Sequence, residues 1–209
     1  APRVAYDTIT ILLLGQYIAK RIQDHPRLPA PVLILPDVLE PDINKKLISY
    51  FMTHDSHPSQ ILFADAAGNP QHAVADTYKK RHDCYLRDKD LVSLVQDRII
   101  RRVVPAIFKA FRFQATRMER MLVSSYSAED QGFFAPHRDN TVSSSAHRQF
   151  AVSLTLNSEY EGGKITFPEF NNETFSAPAG GAVIFSCALL HGVTPVTKGI
   201  RYAFLPFVT

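Results

Sequence analysis

The stretch Phe150-Ala151-Val152-Ser153-Leu154-Thr155-Leu156 sets a large apolar side chain at every second position, with small or hydroxylated residues between. A period of two is that of a β-strand facing a core. Working outward, the same period returns at Met121 and Val123, Ile165 and Phe167, Val183 and Phe185, and Tyr202 and Phe204, with Gly, Pro and Asn turns between the runs. Short alternating strands at such intervals predict an antiparallel sandwich or barrel for the chain after Arg117. Gly162-Gly163 and Gly180-Gly181 read as tight turns that reverse it.

The first half has a different texture. Leu91, Leu94, Val95, Ile99 and Val103 repeat at helical spacing after Asp88 or Asp90, and Pro105 is expected to end or kink that helix. A second helix opens at Pro41-Asp42-Ile43-Asn44 and turns Leu47, Ile48 and Phe51 to one face, after a buried strand at Val32-Leu33-Ile34-Leu35. The segment from His54 to about Thr77, rich in His, Ser, Asp and Gly, reads as a mobile loop. Residues 1–31 read as a helical extension from Asp7 to Asp24 followed by a proline-rich linker, either a tether to a further domain or an arm for a dimer partner. The main domain is then 32–209.

With 209 residues, 45% of them apolar and 21% charged, the chain can bury a substantial core. A formal charge of +3, from short basic groups mixed with acids, does not call for a nucleic-acid partner. The longest apolar run, Ile9 to Leu14, is too short to span a bilayer, and it lacks the basic leader and cleavage site of a signal peptide. Cys84 and Cys187 stand far apart and form no metal knuckle or disulfide framework, which suits a cytoplasmic protein.

The chemistry centres on Gly132-Phe133-Phe134-Ala135-Pro136-His137-Arg138-Asp139-Asn140. In an extended chain, residues two apart share a face, so His137 and Asp139 can reach one ion. Alone, this triplet is also what a polar surface loop looks like. His191 follows the strand Ala182-Val183-Ile184-Phe185 and completes a set of two histidines and one carboxylate, the facial triad of non-haem iron, which leaves open positions for a chelating cosubstrate and dioxygen. Ten residues on, Arg201 follows Lys198-Gly199, read as a turn that returns the chain as an antiparallel strand. A guanidinium in a β-core needs a partner, and a small dicarboxylic acid offers bidentate pairing.

These residues, with Tyr160-Glu161-Gly162-Gly163-Lys164-Ile165-Thr166-Phe167-Pro168 and Pro178-Ala179-Gly180-Gly181-Ala182-Val183-Ile184-Phe185, resemble the catalytic core of the prolyl 4-hydroxylase-like branch of 2-oxoglutarate/Fe(II) oxygenases over about residues 118 to 208. The resemblance implies an α+β fold, a double-stranded β-helix (jelly roll) with flanking N-terminal helices. It implies Fe(II), with 2-oxoglutarate and dioxygen as cosubstrates and ascorbate as an auxiliary reductant. Tyr126 resembles the tyrosine that many relatives place on the oxoglutarate carboxylate; a packing tyrosine is the alternative. Asp139 favours hydroxylation over halogenation, since halogenating relatives carry a small residue there. A catalytically inactive jelly roll and a cupin-like metal module are the competing readings. The substrate, a small molecule or a peptide or protein, stays open. Arg138, Asn140, Arg148 and the run Tyr78-Lys79-Lys80-Arg81-His82-Asp83 either border the pocket, where their charge suits a carboxylated substrate, or form solvated loops. His147 and Ser143-Ser144-Ser145 form a lid or a surface turn.

Overall fold

The computed structural model describes residues 28–65, 67 and 69–209. The helix expected over Asp7 to Asp24 lies outside the described residues. In chain order the strands are β1 (Leu33–Leu35), β2 (His57–Pro58), β3 (Ile61–Ala64), β4 (Pro70–Ala73), β5 (Lys79–Lys80), β6 (His82–Tyr85), β7 (Met118–Glu119), β8 (Leu122–Ser127), β9 (Phe133–His137) and β10 (Phe150–Thr155). They continue with β11 (Tyr160–Gly162), β12 (Ile165–Thr166), β13 (Thr174–Phe175), β14 (Ala182–Ser186), β15 (His191–Val193), β16 (Val196–Phe204) and β17 (Phe207–Val208). The helices are α1 (Pro41–Thr53), α2 (Lys89–Arg102) and α3 (Val104–Phe111).

A large sheet runs β1-β14-β10-β16-β8-β6-β2, and a smaller one runs β13-β12-β15-β9-β5. All pairings are antiparallel, as the period of two predicted. β10 explains why the two sheets and the helices form one body. Its alternation suggested one buried face, yet all six of its residues are buried. Phe150, Val152 and Leu154 pack with Leu47 of α1, Val95 and Ile99 of α2 and Ile107 of α3. Ala151, on the opposite face, packs with Val183 and Phe185 of β14 and with Ile165 and Phe167 at β12. The small residues between the large ones are therefore not solvent-facing; they leave room between the sheets.

Several local expectations change. β1 is a half-exposed edge strand rather than a buried one, with Ile34 47% exposed, because among the described residues only β14 pairs with it. As expected of Pro105, α2 stops just before it, at Arg102; Pro105 itself sits in the first turn of the separate helix α3, where a missing N–H costs nothing. Asp88 caps α2, its carboxylate accepting from the Leu91 N–H at 2.9 Å. The segment after His54 contains β2 and the hairpin of β3 and β4.

The most consequential difference concerns β16. Lys198 and Gly199 do not form a turn, since β16 runs unbroken from Val196 to Phe204. The chain instead steps from the smaller to the larger sheet across Thr194 and Pro195, between β15 and β16. Gly199 is needed for another reason: at φ +69° it passes Glu159 so closely that a Cβ would lie 2.3 Å from that carbonyl oxygen. No helix among the described residues is long and apolar enough to cross a membrane.

Leu154, fully buried where β10 meets the helices, should be expensive to truncate. Leu154→Ala is expected to cost about 2–5 kcal/mol in urea unfolding, whereas Met52→Ala, at a position 72% exposed, should stay within about 0.5 kcal/mol.

Candidate active site

β9 and β15 are neighbours in the smaller sheet, and their register sets His137 directly opposite His191. The pairing then slips, because Val193 lies opposite Phe134, so β9 carries an extra residue beside Pro136. β9 ends at His137, so Asp139 is not on the strand where the alternation put it. It is fixed instead by its own N–H, which donates to the Cys187 carbonyl at 3.0 Å, just past β14. The structure nonetheless brings the three side chains together. Asp139 carboxylate oxygens lie 3.5 Å from His137 Nε2 and 3.3 Å from His191 Nε2, and the three donor groups sit within 4.8 Å of one another.

Both imidazoles are oriented the same way. His137 Nδ1 bonds the Ala135 carbonyl and His191 Nδ1 bonds the Leu189 carbonyl, each at 2.9 Å. A carbonyl can only accept, so each Nδ1 carries the proton and each Nε2 offers its lone pair to the shared point. Phe134 stacks on His137 with centroids 3.5 Å apart, and Phe185 lies 4.5 Å from His191. Burial lowers His191 to about 4, which keeps it neutral near pH 7. Burial alone would raise Asp139, but the adjacent His191 and His137 hold it below the usual carboxylate range. Neutral imidazole and ionised carboxylate are the forms that bind a divalent cation.

A narrow cavity leads inward from this point to Arg201, through Ile165, Phe185 and Val193. Arg201 is 3% exposed and lies opposite Tyr126 across β16 and β8. Its Nη2 donates to Ser153 Oγ at 3.0 Å, while its buried Nη1 has no partner among the described residues. An unpaired charge-bearing donor in so dry a place is costly without an acceptor. Tyr126, 1% exposed, receives a hydrogen bond from Arg81 Nη1 at 3.1 Å, so its own hydroxyl proton remains free for an acceptor in the cavity.

Arg81 is itself held by Asp83 through two bonds of 2.9 and 3.0 Å, and Asp83 also accepts from Ser59 and Ser124. Burial opposes both charges, but each holds the other ionised, Arg81 above and Asp83 below its ordinary range.

A wider cleft of about 990 Å³ opens outward from His137 and Asp139, walled by Phe134 and by Ile61, Leu62 and Phe63 of the β3 hairpin. The structure divides the residues expected at its border. Arg138 and Arg148 line it but are engaged elsewhere, Arg138 with Glu169 at 2.6 Å and Arg148 with Glu119 at 2.5 Å. Asn140 lines neither cavity. Ser143–Ser145 form a 3₁₀ turn, with Ser145 at the cleft, and His147 lies 3.3 Å from Glu119. From the basic run, Lys79 is 3% exposed and lines the cleft, donating to the Gln60 carbonyl and lying 4.6 Å over the Phe134 ring. Burial, then the neighbouring Arg81, lower it to about 6. Arg120 was not anticipated from sequence at all. It lines both cavities from a left-handed backbone, φ +67°, a conformation no residue pattern around it announces.

Residues 121–209 match the profile of the family described as the 2OG-Fe(II) oxygenase superfamily. This C-terminal part of the chain is similar to that superfamily. The chain is 28% identical over 127 residues to a PKHD-type hydroxylase of Synechococcus sp. (strain JA-2-3B'a(2-13)), a match covering 56% of each. The chain thus spans about half the length of the curated relatives it matches. Its fold is that of a Pseudomonas putida prolyl-4-hydroxylase, with a TM-score of 0.66 at 14% identity over 91% of this chain and 97% of the other. A Trichoplax adhaerens prolyl hydroxylase, solved with a hypoxia inducible factor peptide fragment, gives 0.65 at 13% identity over 98% and 94%. The double-stranded β-helix expected from the sequence is the fold observed.

The Arg81–Asp83 pair supports the Tyr126 wall of the inner cavity, and breaking it strands a guanidinium. Asp83→Ala should cost about 3–5 kcal/mol in urea unfolding at neutral pH. Asp83 is held below its ordinary 3.8 in the folded chain, so its stabilisation is complete above that value and is lost as pH falls beneath it; the variant should lose that acid-side slope as well.

Proposed function

We propose that the chain is an Fe(II)- and 2-oxoglutarate-dependent hydroxylase. In this reading His137, Asp139 and His191 hold the iron, Arg201 takes the distal carboxylate of oxoglutarate, and the Tyr126 hydroxyl donates to the same cosubstrate. The observation that carries it is the unpartnered Nη1 of Arg201, buried at one end of a cavity whose other end is the His-Asp-His cluster. A dicarboxylic acid bridging those ends supplies the missing acceptor. When bound, iron and oxoglutarate supply the oxidising chemistry, using dioxygen to hydroxylate a C–H bond with release of succinate and CO₂.

The protein's own contribution is orientation and dryness. Arg201 and Tyr126 fix the direction in which a diacid enters, Ser153 fixes Arg201, and Arg81 fixes Tyr126. Ile165, Phe185 and Val193 exclude water from the channel. The Nδ1 bonds of both histidines hold their Nε2 atoms on one point. A cupin-like or inactive metal module would use the cluster equally well, but it gives Arg201 nothing to bind. The large outer cleft is where the substrate, a small molecule or a peptide, would sit. The prolyl hydroxylase titles of the structural neighbours make a prolyl side chain one candidate for its reacting part.

Fe(II)-dependent conversion of oxoglutarate to succinate tests the reading. His137→Ala and Asp139→Ala should each abolish it while the fold survives, and turnover at the wild-type rate in either would refute the metal assignment. Arg201→Ala should raise the KM for oxoglutarate at least about tenfold, from loss of a charge-assisted bond; an unchanged KM would remove Arg201 from that role.

A further inference from the structure

The cleft wall beside the cluster holds a guanidinium that no carboxylate pairs through a hydrogen bond. Lys79 and Arg120 line this wall, and the acids near them are Asp83 and the cluster's own Asp139. Asp83 is already filled by two bonds from Arg81 and one each from Ser59 and Ser124. Arg120 therefore stands 3.7 Å from Asp83 without a hydrogen bond to it. Among the described residues its guanidinium makes no hydrogen bond, and the Phe207 ring lies 5.4 Å away. The side chain is 24% exposed, so its donors are open to the cleft rather than sealed in the core. Lys79 also keeps donors to spare: when protonated it has three N–H groups, of which the Gln60 carbonyl takes one.

The other cleft arginines do not share this deficit, since Arg138 and Arg148 each have a glutamate. Arg120 also keeps a left-handed backbone at φ +67°, where an L side chain is strained; such strain persists where the surroundings fix it, and it clusters at binding sites. His137 and Asp139 line the same cleft as Lys79 and Arg120. A planar guanidinium with free donors, next to a lysine that an incoming carboxylate draws back to its charged form, is an arrangement that recognises a carboxylate.

We infer that Arg120 and Lys79 form a carboxylate-binding subsite, and that the substrate carries a free carboxylate close to the C–H bond that is oxidised. The second half of this statement rests on the proposed oxygenase reaction; the first does not. The carboxylate could belong to a small acid or to an acidic side chain in a peptide, and the chemistry of recognition is the same.

Binding is measured by thermal shift on the full chain loaded with Mn(II) and oxoglutarate, a readout that needs no turnover. One arm uses N-acetyl amino acids against their C-terminal amides, the other acetylated tripeptide amides with central Glu against central Gln. In at least one arm the acid should bind at least about tenfold more tightly than its neutral twin. Arg120→Gln should erase that difference and Lys79→Met should reduce it, with oxoglutarate binding itself unchanged in both variants. The arm that responds identifies the source. Acid and neutral members alike in every pair, or a preference that survives both substitutions, would overturn the subsite. A weaker oxoglutarate titration in Arg120→Gln would overturn it too, by assigning that guanidinium to the cosubstrate. Loss of succinate formation in the wild type with the acid preference intact would instead count against the reaction alone.

Discussion

The register that sets His137 opposite His191 is the constraint on which the rest depends. Two imidazoles from segments more than fifty positions apart meet because β9 and β15 are hydrogen-bonded neighbours, and a slip of one residue would turn one of them to the other face of the sheet. The carboxylate is added by a different device. Asp139 lies beyond the strand end and is pinned to the Cys187 carbonyl, so the larger sheet, through β14, holds the third donor of a cluster whose first two belong to the smaller sheet. The cluster therefore sits at the seam of the sandwich, and it exists only while both sheets are docked.

β10 does that docking. Its large residues face the helices and its small ones face the seam, so the strand that anchors the fold also clears space for the inner cavity. Ser153, one of those small residues, is the hydrogen-bond partner of Arg201. Buried charge then organises the cavity walls. Arg81 and Asp83 satisfy each other, whereas Arg201 is left with an unpaired donor. In an interior where unpaired donors are disfavoured, a paired cation reads as architecture and an unpaired one as a place for a ligand.

Much of this was legible in the sequence. The period of two after Arg117 predicted the antiparallel sheets, because side chains alternate across a pleated surface whatever the partner strand is. His137, Asp139, His191 and Arg201 could be picked out because their residue types at that order of spacing match one chemistry. Where reading failed, the deciding fact was long-range or conformational. Lys198-Gly199 looks like a turn by composition, yet the glycine is there to let β16 pass Glu159. Asp139 shares a face with His137 through a contact to Cys187 and not through strand alternation. Asn140 is near the site in sequence but lines neither cavity, whereas Arg148 does border the cleft, tied there to Glu119. Arg120 carries no sequence signal because its importance lies in a left-handed backbone and in what Asp83 is already bonded to.

The central claim is that the cavity between the cluster and Arg201 is shaped for a metal-chelating diacid. It is tested most directly by titrating oxoglutarate into the Fe(II)-loaded protein without oxygen, following the visible metal-to-ligand charge-transfer band, in the wild type and in Arg201→Met. The account predicts a saturable band at one equivalent in the wild type and a markedly weaker affinity in the variant. A folded, iron-loaded wild-type protein that gives no band, or a variant that titrates identically, would contradict it.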